Sequence, residues 1–359
     1  MVSGVNMSTI HEVARYAQVS TATVSRYLNS SGCVRPETQQ RVREAIAALD
    51  FQPNQIGRSL KTASTHALGV VVPSLENPVF AEAVAGFDAA ARAGGYSVMI
   101  TSTEYDRDRE AEAVATLLRY RVDGLALTLT RADTAAVRDK LAAAGVPYTL
   151  IYNEPSPTAR DVVSVDNAAA ARTVADHLIR LGHRRVAMVS GHLAASDRAV
   201  RRRDGFVAAV TQAGLPAPDV HQLDFAARDV RPVMADLLGS EASRPTALFC
   251  STDRLAIAVI GTANRLGLRV PHDLSVVGFD GIELGRELFP SLTTIVQPSY
   301  NIGHAAAEAV LARRAGQDPR MPVILPFSLR IGESTGPLGQ DGPPTPQSAC
   351  QPQSKEAML

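Results

Sequence analysis

TIHEVARYAQVSTATVSRYLN, residues 9–29, decides how this chain is read. Thr9 and Glu12 have the T-x-x-E spacing of a capping box, in which each side chain satisfies the other residue's free amide and starts a helix. Val13, Ala14 and Ala17 give that helix a small apolar face. Gln18 and Val19 interrupt it. The hydroxyl of Ser20 is placed to cap a second helix by accepting a free N–H two or three residues on. Val24 and Leu28, four residues apart, turn inward, and Thr21, Ala22, Ser25, Arg26 and Asn29 are left on the outer face. Two short helices joined by a tight turn describe a helix-turn-helix, and they also describe any small αα-hairpin.

The next residues separate those readings. Pro36 suits the first turn of a third helix, and Val42, Ile46 and Leu49 supply the apolar face that the first two helices lack. FQPNQIGRSLKT (51–62) then offers a short helix-capable segment. Gly57 costs it roughly 1 kcal/mol relative to alanine, so the spacing predicts a segment that folds only with a partner. The pattern V-A-x-x-A-x-V-S-x-x-T-V-S-R-x-L-N from Val13 to Asn29, followed by PN-x-x-x-RSL at Pro53 to Leu60, resembles the lactose-repressor (LacI/GalR-type) family of bacterial transcription factors. The resemblance runs to about Gly336.

It implies an all-α helix-turn-helix headpiece joined to an α/β, periplasmic-binding-protein-like core of two doubly wound subdomains. The residues alone point the same way. From Ala67 short apolar runs (ALGVVV, YSVMIT, DGLALTL, YTLIY, RVAMVS, TALFC, LSVVGF) alternate with helical stretches such as Val79 to Arg92 and Asn167 to Arg180. Strands apolar on both faces and alternating with helices form parallel sheets. The expected divisions are a leader over 1–6, a headpiece over 7–52, a linker over 53–64, an effector-binding and dimerisation body over 65–336, and a disordered Pro/Gln/Ser-rich tail over 337–359. Within the body the subdomain changes near 165, with crossings back near 293 and 326.

The chain has 359 residues, 36 Lys/Arg and 36 Asp/Glu. Residues 1–62 carry seven Lys/Arg and four Asp/Glu, a charge of +3, which leaves −3 for the remainder. A basic module on a mildly acidic body suits a reader of double-stranded DNA. Cys33, Cys250 and Cys350 are far apart with no metal-ligand spacing, which suits a reducing cytoplasm. No apolar run reaches a membrane span, and no secretory segment is expected, which disfavours the main alternative, a solute receptor of a transport system built on the same core. No phosphate loop, dinucleotide fingerprint, zincin or nucleophile-elbow motif occurs, so neither catalysis nor a cofactor or metal is expected.

Arg26 is suited to a guanine and Ala22 to a thymine methyl. Ser20, Thr21, Ser25, Asn29, Asn54 and Arg58 complete the candidate DNA contacts. The resemblance implies that Leu60 wedges into the minor groove, and packing against a dimer mate is its other reading. Two headpieces of a homodimer would read a pseudo-palindromic operator. The tail has no leucine heptad, so a dimer is expected rather than a tetramer.

Ligands of open parallel sheets sit beyond the C-terminal strand ends. Asn77, Phe80, Tyr152, Asn153, Phe225, Thr252 and Asp280 lie at such ends. The resemblance implies effector contacts for Arg202, in R-x-x-G-F, for Asp280, in G-F-D, and for Phe225. Thr252 stands where Asn is frequent and Tyr152 where Asp is frequent, which weakens the case for a plain monosaccharide. Arg202 lies in a run of three arginines, which also reads as a solvated helix face, and Phe80 and Phe225 also read as core. The function expected is a repressor whose operator affinity is switched by a small, carbohydrate-like effector.

Overall fold

The computed structural model describes residues 8–28, 34–51, 64–225, 230–240 and 244–338. The chain divides into two compact units, residues 1–65 and 66–359. The linker contacts (Asn54, Arg58 and Leu60), Asn29 and the expected tail from residue 339 on lie outside the described residues.

The first unit holds α1 (Ile10–Tyr16), α2 (Thr21–Leu28) and α3 (Pro36–Ala48). The capping box forms as the spacing requires: Glu12 N–H donates to Thr9 Oγ1 at 3.3 Å, and Thr9 N–H to Glu12 Oε2 at 2.7 Å. Gln18, at φ 52°, makes the turn into α2. Val13, Ala14, Ala17, Val24, Val42, Ala45 and Phe51 form the core, with Ile46 and Leu49 packed against it. Ala45 therefore takes a central place that spacing assigned to its neighbours. A core this small leaves little margin, so local devices such as the capping box, worth about 1 kcal/mol, carry weight.

The second unit has two lobes. The first lobe's sheet runs β2 (Ser97–Ser102), β1 (Ala67–Val72), β3 (Gly124–Leu127), β4 (Tyr148–Ile151), β5 (Val162–Val165) and β11 (Val323–Leu325), all parallel. It is flanked by α4 (Pro78–Ala93), α5 (Arg107–Arg119), α6 (Ala135–Ala144) and α12 (Ser299–Arg314). The second lobe's sheet runs β7 (Asp219–Leu223), β6 (Val186–Gly191), β8 (Ala247–Cys250), β9 (Ser275–Asp280), β10 (Thr293–Val296) and β12 (Ser328–Arg330), parallel except for β12. It carries α7 (Asn167–Arg180), α8 (Asp197–Gln212), α9 (Arg231–Gly239), α10 (Asp253–Arg265) and the short α11 (Leu284–Glu287).

The chain passes between the lobes after Val165, after Val296 and after Leu325. Thr293 opens β10, which still pairs in the second sheet. The central strands β1, β3, β5, β6, β8 and β9 are buried on both faces, as their unbroken apolar runs demand, whereas the edge strands β2, β7, β11 and β12 are partly exposed. Helices α4 and α12 cross at Gly86 and Gly303, where a Cβ would strike the backbone of Tyr300 and Ala83. At the far end of the second lobe the buried His183 meets Thr246 at 3.0 Å and Ser275 and the Gly336 carbonyl at 3.1 Å. That fixes residue 336 to the body. Both lobes thus present their strand C-termini to one shared cleft.

Candidate functional site

In the headpiece, Ser20 Oγ accepts from the Thr23 amide at 3.2 Å and so starts α2. Val24 is fully buried, which fixes the rotation of α2. Ala22 and Arg26 are then exposed, with Thr21 and Ser25 half-exposed beside them. Arg26 lies along its own helix, its Nε 3.4 Å from the Ala22 carbonyl. Tyr16, 59% exposed at the end of α1, adds an aromatic surface that periodicity did not single out. This is a short positive ridge of the kind that enters a major groove.

In the body, a small, partly open cavity lies between the lobes. Asn77, Phe80, Tyr152, Arg202, Phe225, Thr252 and Asp280, seven of the eight residues expected from strand ends and resemblance, line it. Tyr152 (φ 66°) and Asp280 (φ 131°) leave their strands with positive φ. Such backbone costs of order 1–3 kcal/mol and is held only where the surroundings impose it. At the turn after Asp280 they do: Asp253 accepts from the Gly281 and Ile282 amides at 2.8 Å each. Tyr152 donates to the Val79 carbonyl at 3.0 Å and meets Phe80 edge-on at 5.6 Å. Phe225 stacks on Tyr105 across the cleft, centroids 4.5 Å apart and planes 13° apart. Gly191 leaves room for it, since a Cβ there would run into the Phe225 ring.

The charged groups are almost dry. Asp280 accepts from Gln297 Nε2 at 3.0 Å and, from the other lobe, Asn77 Nδ2 at 3.2 Å. Burial pushes its carboxyl up to about 7, opposed by the Arg202 guanidinium 3.9 Å away. Arg202 donates through Nε to Asn167 at 2.8 Å and through Nη1 to the Ser251 carbonyl at 2.7 Å. Its carbon centre sits 3.5 Å from the centroid of the Phe279 ring. Burial lowers its pKa to about 10, so it remains charged at neutral pH. The described lining offers hydrogen-bonding and ionic groups around an apolar floor of Val79, Phe80 and Phe225. Among the described residues no group of three or more His, Cys, Asp or Glu could hold a metal ion. No helix among them is long and apolar enough to cross a membrane.

Comparison with known proteins bears on both units. Residues 9–54 match the model of the bacterial regulatory proteins, lacI family, and residues 175–335 that of a periplasmic binding protein-like domain. The chain is 34% identical over 331 residues to catabolite control protein A of Priestia megaterium, covering 91% of this chain and 99% of that protein. The chain belongs to the lacI family. It is also 33% identical to the ribose operon repressor of Haemophilus influenzae, over 86% of this chain and 92% of the relative. Among solved structures it is similar to the lac repressor dimer bound to operator and an anti-inducer, with a TM-score of 0.83 at 28% identity over 92% of this chain and 100% of the other. A further similarity is to a transcriptional regulator in complex with cellobiose, with a TM-score of 0.66 at 27% identity over 91% and 99%.

As a lacI-family chain, this protein is a DNA-binding transcriptional regulator and not an enzyme, and the headpiece match sets aside the transport-receptor alternative. One site residue is a correction. Asn153 does not line the cavity. Its amide closes on the backbone of Leu129, accepting from N–H and donating to C=O at 2.9 Å each, and Nδ2 also reaches Asp197 Oδ2 at 2.9 Å. Both residues lie just beyond β4, where the left-handed Tyr152 (φ 66°) turns the chain, and Tyr152 reaches the cavity while Asn153 is spent on Leu129 and Asp197. Asn29, Asn54, Arg58 and Leu60 lie outside the described residues.

The structure adds Tyr105, Ser196, Arg198 and Gln297 to the lining. It also reveals a latch between the lobes at the start of α8. Asp197 Oδ2 accepts from Asn153 Nδ2, the Ala132 amide (3.0 Å) and the Glu154 amide (3.3 Å), and Asp197 N–H donates to the Thr130 carbonyl at 2.9 Å. The i, i+4 relation of Arg198 to Arg202 was a usable signal for one of the missed residues.

Proposed function

We propose that this regulator is a repressor that binds a pseudo-palindromic operator as a homodimer, and that a small carbohydrate-like metabolite in the interlobe cavity sets its operator affinity. The observation that carries this reading is the convergence of seven expected side chains on one partly open interlobe cavity. In it a buried arginine and a buried carboxylate face an aromatic wall. Such a site suits a compact polar ligand with an apolar face.

On the same reading, Ser20, Thr21, Ala22, Ser25 and Arg26 meet the duplex, together with Asn29, Asn54, Arg58 and Leu60 of the segments beyond α2 and α3. The working division is a headpiece to residue 52, a linker over 53–64, a body over 65–336 and a tail beyond. Effector binding changes how the lobes are set, and that change passes to the paired linkers. A coupling of about 1–3 kcal/mol alters operator affinity 5- to 150-fold. Inducer and corepressor would use the same architecture.

The test begins by selecting duplexes from a randomised pool and measuring their binding by fluorescence anisotropy. Sugars, sugar acids, sugar phosphates and nucleosides that raise the melting temperature are then added. A symmetric selected site whose affinity changes with one such compound supports the proposal. No enrichment of any symmetric sequence refutes it.

A further inference from the structure

Helix α8 directs two arginines, not one, into the cavity. Arg198 and Arg202 are four residues apart and so share a face; they are 6% and 4% exposed. Their roles differ. Arg202 is committed to Asn167, the Ser251 carbonyl and the Phe279 ring. Arg198 has five N–H donors to satisfy, and among the described residues its guanidinium makes one hydrogen bond, Nη1 to the Leu129 carbonyl at 3.1 Å.

Among the described residues the one ion pair to that charge is a long one, to a carboxylate already engaged elsewhere. Asp197 Oδ1 is 3.9 Å away and accepts the Arg198 amide instead, while Oδ2 is taken by donors of the first lobe. Asp280 is the carboxylate on the lining, and both its oxygens are already met by the amides of Asn77 and Gln297. Glu110, which lies near enough to act on Arg198, is bound by Thr130, and burial pushes it up to about 7. Against this surplus of donors, Gln297 Oε1 is buried without a partner among the described residues. A buried guanidinium short of acceptors is costly, and its planar fork matches a carboxylate or a phosphate in two-point contact. An unpartnered amide oxygen calls for a hydroxyl donor.

We infer that the effector is an anionic, polyhydroxylated compound, a sugar acid or a sugar phosphate, whose anionic group pairs with Arg198 and whose hydroxyl donates to Gln297 Oε1. This rests on the cavity being the effector site and narrows the carbohydrate-like class to its acidic members. Arg198 is then the residue that selects acid over neutral sugar.

The test uses the intact protein and matched pairs: aldonates, uronates and sugar 6-phosphates, each beside its neutral parent, by thermal shift and then calorimetric titration. The expected result is that at least one acid or phosphate binds and its neutral parent binds at least about tenfold more weakly. Arg198→Gln should weaken the acid by about 10- to 100-fold, as loss of a hydrogen bond to a charged group implies, and Arg198→Lys should recover part of it. Gln297→Glu, on a different strand end, sets a second carboxylate against the ligand and should also abolish binding of the acid. Retained operator binding and an unchanged circular dichroism spectrum show that each variant is folded.

A neutral parent that binds as tightly as its acid, a panel in which no acid binds, or an Arg198→Gln protein with parental affinity for the acid overturns the inference. Operator binding separates the two claims. An acid that needs Arg198 yet leaves operator affinity unchanged sinks the effector reading alone, whereas a neutral sugar that shifts operator affinity sinks this inference alone.

Discussion

Replacing Asp197 by asparagine should loosen the contact between the lobes without touching either core. The carboxylate holds three donors of the first lobe on one oxygen, at 2.9, 3.0 and 3.3 Å. An asparagine can accept from some of them but turns its own N–H groups toward the rest. A hydrogen bond to a charged group contributes about 1.5–3 kcal/mol. The three are not additive, because an opened cleft lets water replace them. About 3 kcal/mol for the set is a reasonable scale, or roughly 150-fold in the opening equilibrium.

The amides of Ala132 and Glu154, which donate to Asp197, report this opening directly. Hydrogen exchange on the intact chain should show both amides exchanging on the order of 100-fold faster in Asp197→Asn. Amides in the second sheet, such as those of β8, should keep their protection. Parental exchange at Ala132 and Glu154 in a folded variant would refute the latch.

Three further outcomes are expected. Arg26→Ala should lose about 1–3 kcal/mol of specific operator binding and relax preference at one base pair per half-site; anisotropy against single-base operator variants checks this. Asp280→Asn should keep operator affinity while losing its response to effector, and a normal response would move the effector site elsewhere. Glu110 is buried, and that burial raises its carboxyl to about 7 from an ordinary 4.5. The folded state therefore binds the proton more tightly than the unfolded one. Its contribution to stability is fully present below about pH 4.5 and is lost as pH rises through about 7. Glu110→Gln should flatten urea-unfolding stability between pH 5 and 8, by up to roughly 3 kcal/mol, and an unchanged pH profile would show that the carboxyl is not desolvated.

How far the sequence is legible differs by element. The headpiece is readable because its signals are local: the capping box, Ser20 as a cap and Pro36 in the first turn of α3 all act within four residues. The central strands are readable because burial on both faces leaves unbroken apolar runs. Strands β5, β11 and β12 are three or four residues long and take their places from partners far away in sequence, so periodicity carries little of them.

Strand ends located most of the cavity, yet that rule cannot tell which of two successive residues faces the cleft, hence Tyr152 and Asn153 together. Tyr105 is set by two consecutive left-handed residues, Glu104 (φ 52°) and Tyr105 (φ 62°), which nothing in TSTEYD announces. In α8 the conspicuous run Arg201 to Arg203 masks Arg198. The buried arginines of the helix, Arg198 and Arg202, are separated by one helical turn, and Arg201 points to solvent.

On the proposed function, a ligand held between the lobes and a duplex held by the headpiece share one free energy. Linkage makes the coupling reciprocal. The decisive measurement is a pair of titrations: operator with and without saturating effector, and effector with and without saturating operator. Reciprocity requires the same ratio from both, between about 5 and 150 in one direction or the other. A ratio of one from a ligand shown to occupy the cavity, or two ratios that disagree, would contradict the proposed function.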